Sequence, residues 1–152
     1  MNITKFPFLQ RAKCAFCGDT VLGCISDTTC LNDKFYWFRT TDNKLTLVYA
    51  DSLVSYIGQC DNDGCYIFEG DIIKYTFDFA DENEKEEDIL VVCYNEKASA
   101  FCLYNKNGKS DEVGVFLQNY KIDFRFTFHV IGNIYDNPEL VEGWKNPEEF
   151  VI

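Results

Sequence analysis

The sequence predicts a mainly β fold: a small, partly open β-barrel that carries an N-terminal extension or small subdomain and ends in a short helix. Three observations predict it. Hydrophobic residues make up 47% of the 152 and aromatics 16%, with Phe, Tyr and β-branched types prominent, as pleated and half-buried surfaces require. From Lys34 onward, short apolar runs are separated by turn signals. The length is that of a single domain, large enough to bury a core.

Residues 1–33 differ from the rest. They hold Cys14, Cys17, Cys24 and Cys30 together with Lys5, Arg11 and Lys13, and show no clear period, so they are expected to form the extension that precedes a β domain over 34–152. Phe35-Tyr36-Trp37-Phe38-Arg39 and Leu45-Thr46-Leu47-Val48-Tyr49 flank Thr41-Asp42-Asn43-Lys44 and read as a hairpin. Asp51 to Ser55 is a connector or short helical turn. Asp61-Asn62-Asp63-Gly64 lies between apolar runs and predicts a tight turn, because such residues tolerate left-handed backbone or bond their own main chain. Glu69-Gly70-Asp71 predicts a bend before the next strand, Ile72 to Phe79.

Carboxylates then accumulate from Asp78 to Asp88. They repel one another and prefer water, so the stretch is expected to be a solvated loop ahead of the strand Ile89 to Tyr94. Ser99 to Tyr104 and Val113 to Leu117 are further strands, the first followed by the turn Asn105 to Lys109. Asp123 to Val130 alternates, with Phe124, Phe126, Phe128 and Val130 directed to the core and Arg125, Thr127 and His129 away from it. Asn137-Pro138 marks a helix start, with a cap-type residue before proline.

The formal net charge of −11 disfavours binding to a phosphate backbone, which needs clustered Lys and Arg. No apolar run approaches the roughly 18 residues that span a bilayer, so no membrane association is expected. Met1-Asn2-Ile3-Thr4-Lys5 lacks the apolar stretch of a signal peptide, which gives an expected cytoplasmic location with reduced thiols.

Cys14-Ala15-Phe16-Cys17-Gly18 is the sharpest chemical motif. A Cys-x2-Cys-Gly turn can present two thiolates to zinc, and Cys24 and Cys30 would complete a four-sulfur structural site, although their spacing matches no compact ligand pair. Ordinary free thiols are the competing reading, and apart from this zinc no cofactor is expected. Cys60 and Cys65 flank the Asp61–Gly64 turn, and Cys93 and Cys102 read as core residues. His129 is the only histidine and has no recognisable nucleophile setting, so a partly exposed structural role is expected. Asp61-x-Asp63-Gly64 begins like a calcium loop, but Ile72 occupies the place of the bidentate glutamate. There is no phosphate-cradling glycine loop and no dinucleotide fingerprint.

Two separated segments carry a family resemblance. Gly58, Asp61, Gly64 and the run Ile67-Phe68-Glu69-Gly70-Asp71-Ile72 form one, and Val130-Ile131-Gly132-Asn133-Ile134-Tyr135-Asp136-Asn137-Pro138-Glu139-Leu140 the other. Together they resemble the signature stretches of the YopX-like family of phage and prophage proteins, over roughly Tyr56 to Leu140. The resemblance implies an SH3-type barrel in the C-terminal part and a bacterial host cell as the setting. It carries no catalytic residue set, and it implies that both signature corners are scaffold.

The function expected is that of a non-enzymatic accessory module that binds a host or phage protein, with self-association as a further option. Asp81, Glu82, Glu84, Glu86, Glu87 and Asp88 are the candidate contact. Two alternatives stand beside it: an acidic anti-defence inhibitor that mimics DNA toward a host nuclease, and a zinc-stabilised nucleic-acid binder using Lys5, Arg11, Lys13 and the Cys14–Cys17 knuckle.

Overall fold

The structure is a computed structural model that describes residues 9–26, 31–78, 85–96, 99–108, 110–112 and 126–145. The fold is mainly β, with two antiparallel sheets that do not close into a barrel. The chain divides into two compact units, Met1–Tyr56 and Ile57–Ile152.

In the first unit β1 (Gln10–Lys13), β2 (Thr20–Ile25), β3 (Phe35–Thr40), β4 (Leu45–Tyr49) and the start of β5 (Val54–Cys60) run in the order β4-β3-β2-β1-β5. The hairpin expected at Thr41–Lys44 forms. Thr40 N–H donates to Lys44 O at 2.8 Å and Asn43 takes a left-handed φ of 67°. Ala50–Ser52 is the expected short helical turn, of 3-10 type. Ala12, Phe38 and Val48 are buried at the centre, with Val21, Tyr36 and Leu53 packed around them.

The boundary expected at 33/34 falls between two hydrogen-bonded strands of this unit, since Gly23, Cys24 and Ile25 of β2 pair with Thr40, Arg39 and Phe38 of β3. The division lies instead after Tyr56. β2 has no readable period because both of its faces are apolar: Val21 packs on the core, while Leu22 and Cys24 lie on the other face.

In the second unit β5 ends beside β6 (Tyr66–Phe68). There β7 (Asp71–Asp78), β8 (Lys85–Asn95), β9 (Ala100–Tyr104), β10 (Ser110–Glu112) and β11 (Phe126–Asn133) form the order β10-β9-β8-β7-β11. Its core gathers Ile67, Ile73, Tyr75, Leu90, Val92, Leu103 and Phe128, with Ile57, Phe101 and Val130 packed against them. The alternation predicted for the last strand holds where it is described: Phe128 is buried and Val130 lies against the core. Residues 113–125, including the expected strand Val113–Leu117 and Phe124, lie outside the described residues.

The acidic stretch is not a loop throughout. Lys85, Glu86, Glu87 and Asp88 open β8 and pair with Asp78, Phe77, Thr76 and Tyr75 of β7. Partners on β7 meet these charges: Tyr75 hydroxyl donates to Glu86 at 3.0 Å, Lys74 lies 3.5 Å from Glu87 and Lys85 lies 3.7 Å from Asp78. Exposed pairs of this kind contribute at most about 1 kcal/mol each, so the ladder, rather than the ion pairs, makes the strand.

The two signature corners meet. Asp71 is fully buried and accepts from Phe68 N–H at 2.8 Å, which ties the bend to the end of β6. Gly70, at φ 86°, donates to Val92 O at 2.8 Å and accepts from Ile134 N–H at 2.9 Å, and a Cβ there would lie 2.8 Å from the Tyr135 ring. The register of β11 shifts between Val130 and Gly132, where a Cβ would strike the Asn137 side chain. That side chain accepts from Asn133 N–H at 3.3 Å and makes no helix-capping bond, and the chain continues into a 3-10 turn, Pro138–Val141.

Candidate functional site

Three groups of residues carry chemistry, one in the first unit and two in the second, and a fourth feature is a surface.

Cys14 and Cys17 are brought together by a turn in which Gly18 N–H donates to Cys14 O at 2.9 Å. Cys14 is buried at the end of β1 and its sulfur lies 3.4 Å from the Thr46 hydroxyl. That hydrogen bond, against an opposing effect of burial and helped by the N–H groups of Phe16 and Cys17, lowers the Cys14 thiol to about 7. Cys17 is exposed and moves the other way. The Asp19 N–H draws it down, but the hydrogen bond to Cys14, desolvation and the nearby negative charges leave it raised. The two thiols of the turn are thus shifted in opposite directions.

Cys24 does not join this pair. Cys14 is bridged to Val48, which faces the core, whereas Cys24 pairs with Arg39 on the opposite face. Cys30 lies outside the described residues. The four-sulfur arrangement expected from the sequence therefore reduces, within what is described, to the Cys14–Cys17 pair.

Of the acidic candidates, Asp81, Glu82 and Glu84 also lie outside the described residues. Glu86, Glu87 and Asp88 stand on successive positions of β8, so they alternate between its two faces and do not form a single carboxylate surface.

Tertiary structure assembles a group that the sequence separates by more than sixty positions. The turn after β5 lies along β11: Asn62 N–H donates to Phe128 O at 3.1 Å, and Phe128 N–H donates to Asn62 Oδ1 at 2.8 Å. Asp61 is buried and its carboxylate takes three main-chain donors. Oδ1 accepts from Asp63 and Cys65, both at 2.9 Å, and Oδ2 accepts from Val130 at 3.0 Å. Asp63 Oδ2 lies 2.8 Å from His129 Nδ1, with side-chain exposures of 68% and 42%. Among the described residues, Asp61, Asp63 and His129 form a group of metal-ligating side chains whose donor atoms lie within 4.8 Å of one another. The alternation of β11 did place His129 away from the core, but nothing local in the sequence pointed to its acidic neighbours.

The outward face of β3 and β4 is the remaining feature. Phe38 and Val48 point inward, so the cross-strand pairs Phe35–Tyr49, Trp37–Leu47 and Arg39–Leu45 lie on the other side. The rings of Phe35 and Tyr49 approach to 5.5 Å, and Leu45, Tyr49 and Trp37 remain 50%, 40% and 36% exposed. On the same side of the sheet lie Arg11, paired with Leu22, and Cys24, paired with Arg39. The sequence did hold this signal: Phe35-Tyr36-Trp37-Phe38 and Leu45-Thr46-Leu47-Val48-Tyr49 are apolar at both parities, so both faces of the hairpin had to be apolar.

No helix among the described residues is long and apolar enough to cross a membrane. None of the curated proteins matches this chain. Among solved structures it is similar to protein EF1440 from Enterococcus faecalis, at 20% identity and a TM-score of 0.47, over 89% of this chain and 98% of that one. The family model described as YopX protein matches residues 22–142, from β2 through the 3-10 turn, and so extends into the first unit beyond the two signature corners. The chain belongs to the YopX family.

Proposed function

We propose that this protein is a phage- or prophage-encoded accessory module without catalytic activity that binds a host or phage protein through the outward face of β3 and β4. The observation that carries the reading is the set of cross-strand pairs on that face, with Trp37, Leu45 and Tyr49 exposed beside Arg39. Interface centres are enriched in aromatic residues and Arg, which bury large rigid area at small entropic cost. The charge distribution supports the choice of face. Residues 1–56 hold six Lys and Arg against five Asp and Glu, whereas residues 57–152 hold eight against twenty. The partner is therefore one that presents apolar side chains ringed by carboxylates, and the acidity of the second unit acts against wrong orientations of such a partner. The reading as a non-enzyme rests on the sequence, which holds no phosphate loop, dinucleotide fingerprint or nucleophile elbow.

Affinity capture from host lysate tests this, with the wild type beside Trp37→Ala/Tyr49→Ala and Glu86→Gln/Glu87→Gln. Loss of one captured protein with the first double variant and its retention with the second is the expected outcome. The reverse pattern would move the contact to the acidic residues Asp81, Glu82, Glu84, Glu86, Glu87 and Asp88, and identical capture by all three proteins would refute both.

A second reading, a structural zinc held in part by Cys14 and Cys17, is favoured by the turn that brings these two residues together, in which Gly18 N–H donates to Cys14 O at 2.9 Å. Metal analysis of protein purified without chelator would show about one zinc per chain, lost in Cys14→Ser. A zinc-free wild type would end this reading.

A further inference from the structure

The turn between β5 and β6 is pressed against β11 so that two carboxylates and the single imidazole of the chain converge. Asp61 supplies the rigid part of this arrangement. A carboxylate has about four acceptor positions, and three are filled by the N–H groups of Asp63, Cys65 and Val130. These bonds fix the orientation of the group and leave one lone pair on Oδ2. Asp63 and His129 supply the accessible part, since both side chains are partly open to solvent and leave room for water ligands.

The spacing is informative. Two donors at right angles around an ion with bonds of about 2.1 Å lie about 3.0 Å apart, whereas tetrahedral neighbours lie about 3.4 Å apart. Asp63 Oδ2 and His129 Nδ1 are hydrogen-bonded at 2.8 Å, and all three donor atoms lie within 4.8 Å of one another. Small movements would let an ion replace the hydrogen bond between them.

We propose that Asp61, Asp63 and His129 form a binding site for a divalent first-row transition metal ion, with water completing the coordination shell. One imidazole nitrogen with two carboxylates suits Mn2+ through Zn2+ better than Mg2+ or Ca2+, which prefer oxygen alone. The imidazole binds in its neutral form through Nδ1, with its proton on Nε2, so the ion takes the place of the Nδ1–Asp63 hydrogen bond. Asp61 acts as anchor and ligand at once, and the site closes the contact between the turn and β11. Metal binding should therefore stabilise the folded chain.

Mn2+ is the probe that distinguishes this site from the cysteine pair, because it favours oxygen and nitrogen over thiolate. It would be titrated into the full-length protein while the ring proton signals of His129, the only histidine, are followed by NMR. The expected result is selective broadening of these signals at or below about one equivalent of Mn2+. Asp63→Asn, on a side chain 68% exposed, keeps the fold and should shift the broadening to at least about tenfold higher Mn2+. A parallel thermal melt should rise with Mn2+ in the wild type and stay unmoved in His129→Gln. No broadening at about tenfold excess of Mn2+, equal broadening in wild type and Asp63→Asn, or equal rises in the melts of wild type and His129→Gln would overturn the proposal.

Discussion

Asp61 is the residue whose environment says most about this molecule. It belongs to a turn, yet it is 7% exposed and serves two elements, closing its own turn through Asp63 and Cys65 and receiving Val130 of β11. Replacing it with Ala would leave three main-chain donors without an acceptor, at about 1 to 3 kcal/mol for each one that water cannot reach. Urea denaturation should show Asp61→Ala destabilised by about 2 to 4 kcal/mol. Asp63→Ala should stay within about 1 kcal/mol of wild type, because its partner is an exposed histidine. Equal losses for the two variants would contradict this division of labour. Cys14 gives a prediction in pH. Its folded value is lowered from 9.0 to about 7, so the stabilisation it contributes is fully present above the unfolded value and is lost as pH falls through the folded one. In reduced, metal-free protein, the difference in melting temperature between wild type and Cys14→Ser should grow from pH 7 to pH 9. A flat difference would show that the Thr46 contact does not favour the thiolate.

At the scale of elements, the corner where Gly70 meets Tyr135 joins β7 to the end of β11. Gly70→Ala meets two costs there, a left-handed φ and the ring of Tyr135. Equilibrium unfolding should show a loss of about 2 to 4 kcal/mol, falling to about 1 to 2 when the same change is made in a Tyr135→Ala background. A loss that is equal in both backgrounds would remove the steric account. This corner also shows what was legible. Glu69-Gly70-Asp71 was readable as a bend, because glycine between polar residues signals unusual backbone, and Ile131-Gly132-Asn133 was readable as a corner through the family resemblance. Their meeting was not readable, since it depends on β11 pairing with β7 across the 47 residues between the two strands. The hairpin Phe35–Tyr49 was legible from its turn residues, and the alternation of Phe126, Phe128 and Val130 from a single apolar face. β2 was not, because apolar residues on both of its faces erase the period. The start of β8 was hidden for a different reason. Charge suggested solvent, but Tyr75 and Lys74 of β7 supply partners that only register provides. Cys24 lies close to Cys14 in sequence, but strand parity places the two on opposite faces.

For the whole molecule, charge and apolar exposure are unevenly distributed. Residues 57–152 carry a net charge of −12, while residues 1–56 carry +1 and present the aromatic face. The interaction proposed for that face would combine apolar burial with a modest electrostatic contribution from Arg39 and Arg11. Raising salt from about 0.05 to 0.5 M should therefore weaken the complex only several-fold, mainly through slower association. A loss of a thousandfold or more would point instead to contact through the acidic residues. The most direct test of the central claim is hydrogen exchange of the free protein against its complex with the captured partner. The account predicts added protection of main-chain amides over residues 35–49 and little change over residues 85–95. Protection confined to residues 85–95, with residues 35–49 unchanged, would contradict it.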